Sequence, residues 1–75
     1  MTEAIGIRLT ALLKEEEWSY NKIETKGGVA RSTVRKIALG KQATIEINTL
    51  YQILQTMDVP LQVFFDDPIF EQVTE

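Results

Sequence analysis

Lys26, Arg31, Arg35, Lys36 and Lys41 fall within one stretch, residues 25–45, that contains no acid. That stretch carries +5, residues 1–24 carry −2 and residues 46–75 carry −6, which together make the net −3 of the 75-residue chain. Guanidinium and ammonium groups hold phosphates and other oxyanions, and arginine's planar fork also matches the O6 and N7 acceptors of guanine. An acidic total with a pI near 4.9 argues against a nucleic-acid partner only where the charge is spread evenly. Here it is segregated, and a local basic face sets the field that a ligand meets. A solvated basic face with no partner is the plainer alternative that charge alone leaves open.

Other chemistries are poorly served. The chain has no histidine and no cysteine, which removes imidazole acid–base catalysis, thiol nucleophiles, disulfides and the usual nitrogen and sulfur metal ligands. The adjacent carboxylates Glu15, Glu16 and Glu17, and Asp66 and Asp67, point in different directions on a helix and have no second polar cluster beside them. They read as solvated charge. No enzyme activity, cofactor, metal or small-molecule ligand is expected. Uninterrupted apolar runs reach only three or four residues, too short to span a bilayer, and the start lacks the pattern of a signal peptide. No membrane association and a cytoplasmic location are the expectations.

The elements that must position the basic residues follow from spacing. Ile5, Leu9, Leu12 and Leu13 recur at i, i+4, i+7 and i+8, which predicts a first helix of about fourteen residues with Thr2 as its cap. Trp18 is an apolar anchor, and Ser19 caps a short second helix from Tyr20 to Lys26 with Ile23 inward. Gly27-Gly28 stops it, because glycine accepts positive φ without the Cβ penalty. A third helix from Arg31 to Leu39 turns Val34 and Ile37 inward and leaves Arg31, Ser32, Arg35 and Lys36 outside, ending at Gly40. Ile47, Leu50, Tyr51, Ile53, Leu54 and Met57 predict a fourth, with Thr44 and Asn48 as alternative caps and Ile45-Glu46-Ile47 briefly extended. Pro60 belongs in the first turn of a short fifth helix through Phe65. The expectation is an all-α domain over residues 1–66 and a short acidic tail over 67–75, in which Ile69, Phe70 and Val73 either fray or dock.

Two short helices joined by a glycine turn, the second apolar inside and basic outside, form the layout of a helix-turn-helix. From Ile5 to Phe65 the chain resembles the Cro/CI-type (XRE, lambda-repressor-like) DNA-binding family. The family's Gly-Val-Ser-Arg-Ser-Thr-Val is similar to Gly28 to Val34, its Arg-Gly-Lys to Leu39-Gly40-Lys41, and its Leu-x-x-Ile-x-x-x-Leu-Gly-Val-Ser-Leu to Leu50 to Leu61, all without a gap. The resemblance implies a five-helix lambda-repressor-like fold that binds double-stranded DNA as a transcriptional regulator. Arg31, Ser32, Arg35 and Lys36 match the positions that reach base edges and flanking phosphates in the major groove, Lys36 more as a phosphate contact. Thr33, Lys41 and Gln42 are placed to donate to the DNA backbone, with surface or packing roles as the plainer reading of Thr33 and Gln42. Ser19 and Tyr20 open the helix nearest a phosphate, and Ser19 reads first as a plain cap.

Departures from the family pattern carry their own expectations. Tyr20 replaces a glutamine, Glu24 replaces a small residue facing the recognition helix, and Ala30 replaces a capping serine or threonine. The Glu24 carboxylate is expected to swing out or to pair with a base, and Ala30 to leave an orphan N–H at a cost of about 1 kcal/mol. An arginine–glutamate pair common in relatives is replaced on both sides, by Leu13 and Ala38, which avoids a stranded buried charge. Two-fold DNA sites call for a homodimer, with the fourth and fifth helices and the tail as its interface. There Tyr51 and Phe64 read as core, and Phe65 and Phe70 as either core or contact. The acidic segment 46–75 is expected to face away from the phosphates. The alternative is a helix-turn-helix protein-interaction module, such as an antitoxin or an antagonist of another regulator, with weak or no DNA binding.

Overall fold

In a computed structural model, residues 2–42 and 44–72 are described, and all their regular structure is helical. The spacing of Ile5, Leu9, Leu12 and Leu13 produces α1, Thr2–Glu15, with all four buried. Thr2 is already helical, the first residue of α1, and is not its cap. The helix ends where Glu17 turns into the left-handed region at φ 56 and the Trp18 N–H reaches back to the Leu13 carbonyl at 2.8 Å. Trp18 then packs against the core, with the Lys22 ammonium 4.4 Å from its ring centroid.

Next come α2, Tyr20–Gly27, and α3, Arg31–Ala38, followed by α4, Ile47–Thr56, α5, Leu61–Phe65, and a 3-10 turn, Pro68–Gln72. Neither Thr44 nor Asn48 caps α4. Glu46 does, because its extended backbone (φ −72, ψ 130) redirects the chain and its carbonyl accepts the Leu50 N–H at 3.2 Å. Pro60 likewise sits one place ahead of its expected position, at the N-cap of α5, since its ψ of 148 is not helical. Asp58, in the left-handed region at φ 60, ends α4 as Glu17 ends α1.

All five helices contribute to one apolar core. Leu9, Ile23, Val34, Ile37, Leu50, Ile53, Leu54 and Phe64 are sealed from solvent. Burial of each contributes about 1.5–3 kcal/mol, so this core and no single polar contact supplies most of the driving force. Tyr51 does not join it, contrary to expectation, and stands 47% exposed. At 3.6 residues per turn, Leu50, Ile53, Leu54 and Met57 take the inner face of α4 and leave Tyr51 and Ile47 on its flank. Phe64 is core, while Phe65 and Phe70 are half-buried against it, with ring centroids 4.9 Å apart.

Two contacts set α3 on this frame from the α1 side. At Gly6 the backbones approach so closely that a Cβ would lie 2.8 Å from the Ile37 carbonyl oxygen. One turn on, the Thr10 hydroxyl donates to the Ala38 carbonyl at 2.9 Å. Leu13 and Ala38 are both buried in the core, as two apolar replacements for a charge pair require.

Candidate nucleic-acid interface

The interface is built on α2, a three-residue turn and α3. Ser19 is the cap of α2: its backbone is extended and its hydroxyl accepts the Lys22 N–H at 3.0 Å. Tyr20 follows, half-buried against the core, and lines an apolar groove with Thr10, Leu13, Lys14 and Trp18. At the other end of α2, Gly28 has φ 77 and donates to the Glu24 carbonyl at 3.0 Å. Positive φ is the reason a glycine is needed there. Val29 is buried and anchors the turn.

At the start of α3, Ala30 makes no side-chain cap bond. The expectation for Glu24 is corrected: its carboxylate pairs with no base and instead accepts the Arg31 N–H at 3.2 Å. That donor is the first of α3, one place ahead of the Ser32 and Thr33 N–H groups that a capping side chain at position 30 would serve. A carboxylate is well suited to that position, because the first backbone donors of a helix are unsatisfied and carry partial positive charge. Glu24 and Ala30, two separate departures in the sequence, meet at one turn: a side chain from α2 holds the first donor of α3, and the cap position itself offers no side-chain acceptor. The signal was present as a long acceptor seven residues before a capless helix start.

The faces of α3 separate cleanly. Val34, Ile37 and Ala38 are buried, and Arg31, Ser32, Arg35 and Lys36 are all exposed. Gly40, at φ 70, ends the helix region and the Lys41 N–H returns to the Lys36 carbonyl at 2.9 Å, leaving the Lys41 side chain exposed. Thr33 and Gln42 are half-buried and line one depression with Ile37, Thr44, Ile45, Glu46 and Thr49. Glu46 brings one carboxylate of the acidic segment to the side of α3, so that segment does not lie wholly apart from the basic face.

Among the described residues none of Lys26, Arg31, Arg35, Lys36 or Lys41 forms an ion pair; the pair that is formed joins Arg8 and Asp67 at 3.3 Å. Arg31 and Arg35 are one helical turn apart, with Lys36 adjacent, so α3 presents three cations and a hydroxyl from one short element. Such a helix fits the width of a B-form major groove.

This fold and this face define a helix-turn-helix protein with its second helix free to meet a ligand. The helix-turn-helix family profile matches residues 9–64, and the chain belongs to that family, the Cro/CI-type group of DNA-binding proteins. No curated protein and no solved structure gives a match. The family is one of DNA-binding proteins and not of enzymes. No helix among the described residues is long and apolar enough to cross a membrane.

Proposed function

We propose that this chain is a sequence-specific regulator of transcription that lays α3 in the major groove of double-stranded DNA, acts in the cytoplasm and catalyses no reaction. The observation that carries the reading is the exposed, unpaired set Arg31, Arg35 and Lys36 with Ser32 on α3, in a family of DNA-binding proteins. Arg31 and Arg35 read guanine edges, Ser32 donates to an adjacent base or phosphate, and Lys36 holds a phosphate. Lys41 and Thr33 serve the DNA backbone beside them, and Tyr20 donates its single hydroxyl hydrogen at the start of α2.

The working form is a homodimer joined through α4, α5 and the segment that follows. Ile47, Tyr51 and Val63 support this surface: they are 59%, 47% and 51% exposed on α4 and α5, where a monomer gains nothing from apolar groups in water.

Selection of bound duplexes from a random library tests the reading. An enriched palindrome is expected, with half-sites about one helical turn apart. Binding to mixed-sequence DNA should also fall by orders of magnitude between about 50 and 200 mM salt. A chain that binds no duplex even at low salt is instead a protein-interaction module on the same fold.

A further inference from the structure

One residue holds the helix-turn-helix turn from both sides. The Glu24 carbonyl accepts the Gly28 N–H at 3.0 Å and closes α2, while its carboxylate accepts the Arg31 N–H at 3.2 Å and opens α3. Ala30, at the N-cap, contributes no side-chain bond. We infer that Glu24 is the positioning residue of the recognition helix, fixing the direction in which α3 leaves the turn and therefore the register at which Arg31 and Ser32 meet base edges.

The physical reason lies in the length and placement of α3. It has eight residues, too few to be stable as an isolated helix, so its ends depend on outside contacts. Its carboxyl end is pinned by Gly6 and by the Thr10 bond to Ala38. Its amino end leads with the residues that read bases, and there the side-chain tie comes from Glu24. A loosened first turn spreads Arg31 and Ser32 over several conformers. Base readout depends on their geometry, whereas attraction to phosphates depends mainly on their charge. Loss of the tie therefore costs discrimination more than it costs general affinity. The carboxylate also places a negative charge beside Arg31, so replacing it by a neutral acceptor keeps the register and raises attraction to any duplex.

The inference rests on the DNA reading for its functional half, and the test separates the two. Glu24→Ala, Glu24→Gln, Ala30→Ser and Glu24→Ala with Ala30→Ser are compared by amide hydrogen exchange without DNA, and by binding to the selected duplex and to mixed-sequence DNA. Glu24→Ala should speed exchange at the Arg31 amide by roughly five- to tenfold and lower the ratio of specific to non-specific affinity by a similar factor. Adding Ala30→Ser should restore most of the specificity ratio, because a serine at the cap accepts the Ser32 or Thr33 N–H and steadies the same first turn, while the Arg31 amide stays fast for want of its own acceptor. Glu24→Gln keeps the acceptor, so it should hold the exchange rate and tighten mixed-sequence binding a few-fold at low salt; it also serves if Glu24→Ala does not fold. Unchanged Arg31 exchange in Glu24→Ala, or a specificity ratio equal to that of the unaltered protein, overturns the inference. A protein that binds no DNA at all removes the functional half together with the DNA reading, and the exchange data still decide whether Glu24 holds α3.

Discussion

Arg8 on α1 ties down the end of α5: its Nε donates to the Phe64 carbonyl at 2.9 Å, fifty-six positions along the chain. The same guanidinium donates from Nη2 to the Val63 carbonyl at 3.1 Å and meets the Asp67 carboxylate from Nη1 at 3.3 Å. α5 is five residues long, and of its last carbonyls Val63 receives the Asp66 N–H at 3.3 Å, so a forked cation adds donors that so short a helix supplies only in part. Arg8→Met keeps much of the stem and removes three charge-assisted contacts. It should lower unfolding stability by about 2–3 kcal/mol in urea titrations. Asp67→Asn removes only the partly exposed ion pair and should cost less than about 1 kcal/mol. Equal losses for the two variants would mean that the carbonyl contacts contribute nothing.

The apolar spacing of α1, the glycine turn and the polarity of α3 were legible in the sequence, because each depends on residues within a turn or two of one another. Arg8 was not, since nothing local says that a base at position 8 will find carbonyls at positions 63 and 64. Glu24 was legible only as an anomaly: its acceptor role needs the angle between two helices. Tyr51 failed for a different reason. Periodicity separates the two faces of α4 but does not say how far the buried face extends around its flank, and that is decided by which helices pack on it. The start of α4 was blurred by Thr44 and Asn48, both good caps by type, while the backbone bend fell at Glu46, which has no side-chain cap bond.

Gly6 marks a contact that tolerates no side chain. A Cβ there would stand 2.8 Å from the Ile37 oxygen, 3.0 Å from the Ala38 oxygen and 3.0 Å from the Gly40 nitrogen, all backbone atoms that cannot rotate away. Gly6→Ala gains up to about 1 kcal/mol of helix propensity and loses about 1–3 kcal/mol to overpacking. The net should be destabilising by up to about 2 kcal/mol, with α3 displaced relative to α1. Amide shifts in α3 and a lower denaturant midpoint are the expected signs. A stabilised variant would show that the two helices separate without cost.

Ile47 and Tyr51 lie one turn apart on the open flank of α4. If the homodimer forms there, Ile47→Lys and Tyr51→Lys should weaken self-association in sedimentation equilibrium and leave the helical circular dichroism unaltered, because neither side chain is part of the core. The doubly substituted chain should sediment as a monomer at concentrations where the parent dimerises. Its affinity for a full palindrome should drop toward that for a half-site. A parent that remains monomeric while filling a palindrome would end the case for this surface.

Arg35 and Lys36 are neighbours on α3, and the proposed function assigns them two different kinds of DNA contact. Both are exposed and unpaired within the described residues, so replacing either by alanine should leave the fold intact. An arginine bidentate to guanine discriminates by about 1–3 kcal/mol, so Arg35→Ala should weaken binding to the selected duplex by that amount and relax the preference at one base pair. Lys36, as a phosphate contact, should act evenly: Lys36→Ala weakens binding to all duplexes and lowers the slope of log affinity against log salt by about one. The two slopes, measured on one selected and one scrambled duplex, distinguish the roles. Uniform weakening by Arg35→Ala across sequences would make Arg35 a second phosphate contact, and base discrimination would then rest on Arg31 and Ser32.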